Sequence, residues 1–135
     1  MSKSDTGKIG EDIATQYLKN KEYSIIERNF REKWGELDII TIAPDKTLVF
    51  IEVKTIGYKT SEFENASENL LSPESNLTKS KLTKLQRTAS LYVGAHQELI
   101  KDKMGWRIDL VSIRMFAGKH PYRNKIDPPT HFIFD

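Results

Sequence analysis

The sequence contains no cysteine, and this absence excludes several kinds of site. Without thiols the chain has no disulfide framework, no thiolate zinc site and no cysteine nucleophile. A chain free of cysteine also suits a reducing compartment, so we expect a cytoplasmic protein.

Long apolar runs and a strong excess of one charge are also missing. No uncharged apolar stretch is long enough to cross a bilayer, and the opening residues MSKSDTGKIG lack the apolar core of a signal peptide. We therefore expect neither membrane insertion nor secretion. The 21 basic residues nearly balance the 19 acidic ones, so the net charge of +2 does not by itself indicate a nucleic-acid-binding protein.

What is present is the pattern of one mixed α/β unit. The length of 135 residues is typical of one domain, so we treat 1–135 as a single domain. Hydrophobic periodicity predicts a helix over 9–18 and strands over 23–30, 36–43, 47–54, 106–116 and 130–134. A second helix precedes the fourth strand and carries one apolar face, formed by Leu82, Leu85, Ala89, Tyr92 and Val93. The segments 57–76 and 117–129 are expected to be irregular. This order predicts a mixed sheet covered by helices, in an α/β or α+β sandwich.

Two acidic residues, Asp38 and Glu52, lie inside predicted strands that are otherwise apolar. If Asp45 is the centre of the turn between these strands, Asp38 lies directly opposite Glu52, and Glu36 lies opposite Lys54. A register shifted by one residue would turn the apolar faces of the two strands against each other, which burial disfavours.

Opposed carboxylates destabilise a sheet, because their Cβ atoms lie only ~4.5 to 5.5 Å apart. A divalent cation such as Mg²⁺ neutralises such a pair, and Lys54 points to the same side of the sheet. A metal, two carboxylates and a lysine are the parts that hydrolysis of a phosphodiester needs. Each acid alone could be an ordinary exposed sheet residue, and Glu36 with Lys54 an ordinary ion pair. The whole set, flanked by apolar residues, favours a site.

The spacing from Asp38 to the run Glu52, Val53 and Lys54 resembles the PD-(D/E)XK nuclease pattern, although no proline precedes Asp38. The strings GKIGEDIATQYL, IIERNFREKWGELDIITI, LVFIEVKT, KSKLTKLQRTASLYV and WRIDLVSI are similar to the YraN-like family of small bacterial proteins. This resemblance implies a restriction-endonuclease-like fold, similar to archaeal Holliday junction resolvases. Such a fold has a mixed β-sheet of about five strands flanked by α-helices. It also implies a metal-dependent endonuclease that acts on DNA. Related resolvases act as dimers, because a four-way junction presents two equivalent strands, so the resemblance is compatible with a homodimer.

Carried onto matching positions, the resemblance implies roles for five residues. Asp38 and Glu52 look like ligands of Mg²⁺ or Mn²⁺, and Lys54 looks like the catalytic lysine. Glu11 looks like a third catalytic acid that reaches the metal directly or through water, and Glu36 like a partner of Lys54. The family usually has arginine after the Glu-Val-Lys-Thr run, whereas this chain has Ile56, so one phosphate-contacting cation is missing.

Four basic residues are candidates for contacts with nucleic-acid phosphates, namely Lys81, Lys84, Arg28 and Arg31. A solvated helix face and a basic strand edge that resists aggregation are the ordinary alternatives. We expect Arg107 and Asp109 to form a structural pair, and we assign no function to His131.

Together these observations favour a metal-dependent nuclease that cleaves branched or single-stranded DNA through an activated water. One alternative is a non-catalytic nucleic-acid-binding module that retains the nuclease fold. Another is an interaction domain that binds neither metal nor nucleic acid.

Overall fold

The computed structural model describes residues 3–58, 77–101, 104–116 and 123–133. Two helices, α1 and α2, and six strands, β1 to β6, are found in these ranges, with one 3₁₀ turn over Gln97–Leu99. The helices are α1 (Lys3–Asn20) and α2 (Lys79–Ala95), and the strands are β1 (Ser24–Glu32), β2 (Gly35–Ile42), β3 (Leu48–Tyr58), β4 (Trp106–Phe116), β5 (Arg123–Ile126) and β6 (Thr130–Ile133).

The strands form one mixed sheet in the order β1, β2, β3, β4, β5. Strands β3 and β4 are parallel, whereas the other pairs are antiparallel. Strand β4 is paired along its first half with β6 and along its second half with β5. The predicted mixed α/β fold is confirmed, and the arrangement is consistent with the restriction-endonuclease-like class.

The two helices cover opposite faces of the sheet, because successive side chains of each strand point to opposite sides. Helix α1 contributes Ala14 and Leu18 to one buried cluster, which also contains Val49 and Ile51 of β3. Helix α2 contributes Ala89 and Tyr92 to the other cluster, which contains Leu48 and Phe50 from the same strand. Glu52 and Lys54 continue the alternation of Phe50, so they lie on the α2 face of β3.

The hairpin of β2 and β3 has the predicted register. Ile40 pairs with Phe50 and Ile42 with Leu48, so Asp45 is the centre of the turn. The turn is closed by a hydrogen bond of 2.8 Å from the Ala43 N–H to the Thr47 carbonyl. Burial of the apolar faces therefore selected the register, as expected.

Two predictions about the strands were incomplete. Residues 117–129 were expected to be irregular, but β5 lies within them, so the sheet has six strands rather than five. The sequence RNKI of β5 has little apolar character, and its pairing with β4 supplies the strand geometry. The predicted irregular segment 57–76 begins inside β3, and the rest of it lies outside the described residues. Within the described ranges, neither helix combines the length and hydrophobicity needed to cross a bilayer.

Helix α1 approaches β3 closely at Gly10. A Cβ atom at this position would overlap Oγ1 of Thr55, so a larger residue does not fit without a backbone shift. This close approach brings the next residue, Glu11, down to the sheet.

Candidate functional site

The carboxylates of Asp38 and Glu52 lie together where the β2–β3 ladder ends. Backbone pairing stops at Ile39 and Ile51, one residue before this pair. Beyond that point the Val53 N–H donates a hydrogen bond of 2.8 Å to Oδ2 of Asp38. Asp38 and Glu52 also lie close enough for each to shift the pKa of the other. The predicted meeting of the two carboxylates is therefore present in the fold.

Burial and mutual repulsion make this pair hold a proton. Burial, which is the largest cause, and the neighbouring charge of Asp38 together raise the pKa of Glu52 to about 8, against the lowering effect of Lys81 and Lys54. Burial also raises the pKa of Asp38, against the lowering effect of the Val53 N–H. Two buried carboxyl groups with raised pKa values favour a positive charge bound next to them.

Glu11 completes the acidic surroundings from α1. Its Oε1 atom accepts hydrogen bonds from Nε and Nη2 of Arg28, at 3.2 and 3.1 Å, and from Nδ2 of Asn29 at 2.9 Å. The Glu11 side chain is only 13% exposed, and its charge raises the pKa of Asp38. Within the described residues, Oε2 of Glu11 accepts no hydrogen bond, so this oxygen is available to a ligand.

Asn29 is a supporting residue whose contact with Glu11 was not predicted from the sequence. Its φ of 54° is left-handed, and the β1–β2 ladder pairs Arg28 with Ile39 and Phe30 with Leu37 on either side of it. Asparagine tolerates this conformation better than most residues. The only available signal was an asparagine within a run of strand-forming residues.

Lys54 and Glu36 are placed differently from each other. Lys54 lies beside Glu52 closely enough for its charge to lower the pKa of that carboxyl. Glu36 is exposed and pairs in the ladder with Arg31, and in the described part of the chain no ion pair joins it to Lys54. The ladder ends before these positions, which explains why the expected cross-strand pair does not form. Glu36 instead contributes negative charge that raises the pKa of Asp38.

The four basic candidates differ in their surroundings: one acts on the carboxylate pair, one is paired with acids of α1, and two are exposed. The charge of Lys81 lowers the pKa of Glu52 more than that of Lys54 does, which places Lys81 close to the carboxylates. Arg28 binds Glu11 and also Asp12, with its Nη2 2.7 Å from Oδ1 of Asp12. Lys84 and Arg31 are exposed.

Comparison with known proteins places these residues in a family. The model of the uncharacterised protein family UPF0102 matches residues 10–113, which is most of the chain. The chain belongs to the UPF0102 family. A UPF0102 protein of Clostridium botulinum (strain Loch Maree / Type A3) is 42% identical over 124 residues, covering 90% of this chain and 89% of that protein. A UPF0102 protein of Sulfurihydrogenibium sp. (strain YO3AOP1) is 34% identical over 114 residues, covering 84% and 88%.

The UPF0102 match includes both strands that carry the carboxylate pair, the α1 glutamate and the basic residues of α2. The family resemblance inferred from the sequence strings is thus confirmed. The match ends within β4, while the botulinum relative aligns over a longer part of the chain.

The donor set of this UPF0102 protein fits a hard divalent cation with few protein ligands. Over residues 3–58, 77–101, 104–116 and 123–133, no group of three or more histidine, aspartate or glutamate side chains is placed to hold a metal ion together. Mg²⁺ is commonly bound through one or two carboxylates and retains several waters. Asp38 and Glu52 supply that number, in surroundings that favour positive charge.

Proposed function

We propose that this UPF0102 protein is a metal-dependent endonuclease that hydrolyses DNA phosphodiester bonds. The observation that carries the proposal is the buried pair of Asp38 and Glu52 with the ammonium group of Lys54 beside it. The same three residues match the PD-(D/E)XK pattern, in which they carry the chemistry.

The metal would be Mg²⁺ or Mn²⁺, held by Asp38 and Glu52, with Glu11 contributing directly or through water. When bound, such an ion supplies a Lewis acid that stabilises negative charge on the phosphate. Asp38 and Glu52 would give up the proton that burial otherwise keeps on them when they hold such an ion.

The residues of the chain itself supply position and charge. Lys54 donates hydrogen bonds that can orient the attacking water or offset charge that develops on the phosphate. Lys81, whose charge lowers the pKa of Glu52, would contact the same phosphate group from α2. Arg28 holds the carboxylate of Glu11 in place. Lys84 and Arg31, which are exposed, would contact neighbouring phosphates along the strand.

A cleavage panel tests the proposal. The purified protein is incubated with four-way-junction, flapped, single-stranded and duplex DNA in Mg²⁺ or Mn²⁺. We expect cleavage of branched or single-stranded DNA, loss of that cleavage with EDTA, and a fall of about 100-fold or more for Lys54→Gln, because a positioned charge at the reacting phosphate is removed.

Matched variants separate the site from general effects of charge. Glu52→Gln is expected to abolish cleavage, whereas Glu98→Gln, at an exposed acid in the 3₁₀ turn after α2, leaves it unchanged. Lys101→Gln, also at an exposed position, is the control for Lys54→Gln. No cleavage of any DNA, or full cleavage by Glu52→Gln, would reject the nuclease.

Two observations favour a second candidate, a nucleic-acid-binding module without turnover. Ile56 stands where an arginine is usual, and among the described residues no three acids form a metal group. This candidate predicts DNA binding that weakens with salt and survives Glu52→Gln, with no cleavage under any metal condition.

A further inference from the structure

A second cluster of charged residues surrounds Asp109, on the sheet face opposite Glu52. The Asp109 side chain is 1% exposed, and its Oδ1 lies 3.0 Å from Nε of Arg107 and 2.8 Å from Nδ1 of His131. The pairing of Arg107 with Asp109 was predicted. His131 was not predicted to join them, but it is the ladder partner of Asp109 across β4 and β6.

This buried acid orients two polar side chains toward the surface. With Nδ1 of His131 donating to Asp109, the Nε2 atom is the acceptor of a ring that is half exposed. Arg107 uses Nε for Asp109 and Nη2 for the hydroxyl oxygen of Tyr23, at 3.4 Å. Within the described residues its Nη1 group makes no hydrogen bond. Arg107 therefore has donors left for a ligand.

Tyr23 contributes a further donor. Its hydroxyl oxygen accepts from Arg107, which leaves the phenolic proton free to bind an acceptor. Burial raises the pKa of Tyr23, so the hydroxyl keeps this proton near neutral pH.

These groups line a cavity of about 460 Å³ between the end of α1, the β2–β3 turn and the first halves of β4 and β6. Its volume lies within the range of roughly 300 to 1,000 Å³ that small-molecule sites occupy. The apolar part of the wall comes from Leu18, Ile51 and Val111, and an aromatic wall from Tyr17 and Tyr23.

The polar groups of the wall restrict the class of ligand. Arg107, Tyr23 and Lys21 provide donors. Arg107 is already paired with Asp109, which also lines the cavity, and the ammonium of Lys21 lies 5.9 Å from the centre of the Tyr17 ring. Within the described residues Lys21 forms no ion pair, so its charge suits an anionic group.

Asp45 lines the same cavity, and its Oδ1 accepts a hydrogen bond of 3.0 Å from the Thr47 N–H. In the described chain it forms no ion pair, so its second oxygen can accept from a hydroxyl or amino group. A ligand with a planar ring, an anionic group and hydroxyl donors would match the aromatic and apolar part of the wall, its cationic part and the Asp45 acceptor.

We propose that this cavity binds a nucleoside monophosphate, either free or as the 5′-terminal nucleotide of a strand. The ring lies on the aromatic and apolar wall, the phosphate contacts Arg107 and Lys21, and the ribose hydroxyls face Asp45. Ile51 lines the cavity, whereas the neighbouring Glu52 points to the other face of β3. The cavity is therefore separate from the carboxylate pair, and the inference does not depend on nuclease activity.

Calorimetric titration in EDTA tests the inference without metal chemistry. The probes are AMP, CMP, inorganic phosphate, and a short single strand with or without a 5′-phosphate. We expect saturable binding of one nucleotide per chain, with phosphate alone binding more weakly because it cannot contact the aromatic wall. Selective chemical-shift changes of the Tyr17 and Tyr23 ring signals would place the ligand.

Variants that preserve the buried Asp109 cluster localise the binding. Lys21→Ala and Tyr23→Phe each remove one donor from the wall, and each is expected to weaken binding by about tenfold or more. Lys19→Ala is the matched control, since this exposed lysine lies in the last turn of α1, two residues before Lys21, and does not line the cavity. Folding of each variant is checked by thermal unfolding.

The probes also identify the source of the nucleotide. Binding of the 5′-phosphorylated strand, but not of the unphosphorylated strand, assigns the cavity to a strand end, whereas binding of mononucleotides alone assigns it to a free nucleotide. Either result supports the proposal. Absence of saturable binding at millimolar nucleotide, or binding that Lys21→Ala and Tyr23→Phe leave intact, would overturn it.

Discussion

The N–H of Val53 donates a hydrogen bond of 2.8 Å to Oδ2 of Asp38, so a side chain takes over where backbone pairing between β2 and β3 has stopped. This contact fixes the Asp38 carboxylate beside Glu52. It also gives one residue two separable roles, as the acceptor for a backbone donor and as an acid of the proposed site.

Substitutions at Asp38 separate these two roles. Asp38→Asn retains an oxygen that can accept from Val53, whereas Asp38→Ala leaves this N–H without a partner. We expect Asp38→Ala to be less stable than Asp38→Asn by about 1 kcal/mol in urea unfolding. Calorimetry is expected to show loss of Mn²⁺ binding in both variants. Equal stabilities would mean that the hydrogen bond contributes nothing.

The raised pKa of Glu52 predicts how stability depends on pH in the absence of metal. Its pKa rises from 4.5 to about 8 on folding, so the folded state retains a proton that the unfolded state releases. This contribution is fully present below the unfolded pKa and is lost as pH rises through the folded pKa. We expect the melting temperature in EDTA to fall from pH 5 to pH 8, roughly the interval between the two values.

Glu52→Gln removes this titration, so its melting temperature should fall less over the same interval. Glu98→Gln serves as the control, because this acid lies in the exposed turn after α2. Curves for wild type and Glu52→Gln that run parallel across the interval would contradict the assignment of the proton to this pair.

Asn29 is predicted to matter both for its backbone conformation and for its side chain. Asn29→Gly and Asn29→Ala both lose the 2.9 Å hydrogen bond to Glu11, but only glycine adopts a φ of 54° without strain. We expect Asn29→Ala to be less stable than Asn29→Gly by roughly 0.5 to 1 kcal/mol. Denaturant unfolding of the two variants measures the difference, and the opposite order would refute the role of the backbone.

Two glycines of α1 should respond to alanine in opposite ways. At Gly10 an added Cβ would overlap Thr55, and we expect Gly10→Ala to lower the free energy of unfolding by about 1 to 3 kcal/mol. At Gly7 no heavy atom lies within 4 Å of an added Cβ, so Gly7→Ala should raise stability by about 0.5 to 1 kcal/mol. Comparable effects of the two changes would show that α1 is not held closely against β3.

The parts of the structure that follow local rules were predictable from the sequence. The register of the β2–β3 hairpin followed from the alternation of apolar residues and from a turn centred on Asp45, and Ile40 does pair with Phe50. The meeting of Asp38 with Glu52 then followed from that register.

The features that were not predicted from the sequence depend on contacts between residues far apart along the chain. Strand β5 has little apolar character and is formed by its pairing with β4. The bonds of Glu11 to Arg28 and Asn29 depend on how α1 crosses the sheet, and the contact of His131 with Asp109 depends on β6 returning beside β4. The spacing of residues along the sequence does not predict any of these three side-chain contacts.

The parallel ladder between β3 and β4 has a consequence for the order of folding. It joins Leu48 to Trp106 and continues to the ends of both strands, whereas the β1–β2 and β2–β3 hairpins join residues close along the chain. Loop closure makes distant pairing slow, and synthesis delivers the N-terminal part first. We therefore expect the β2–β3 hairpin, which carries the acidic pair, to form before β4 docks alongside β3 and completes the sheet.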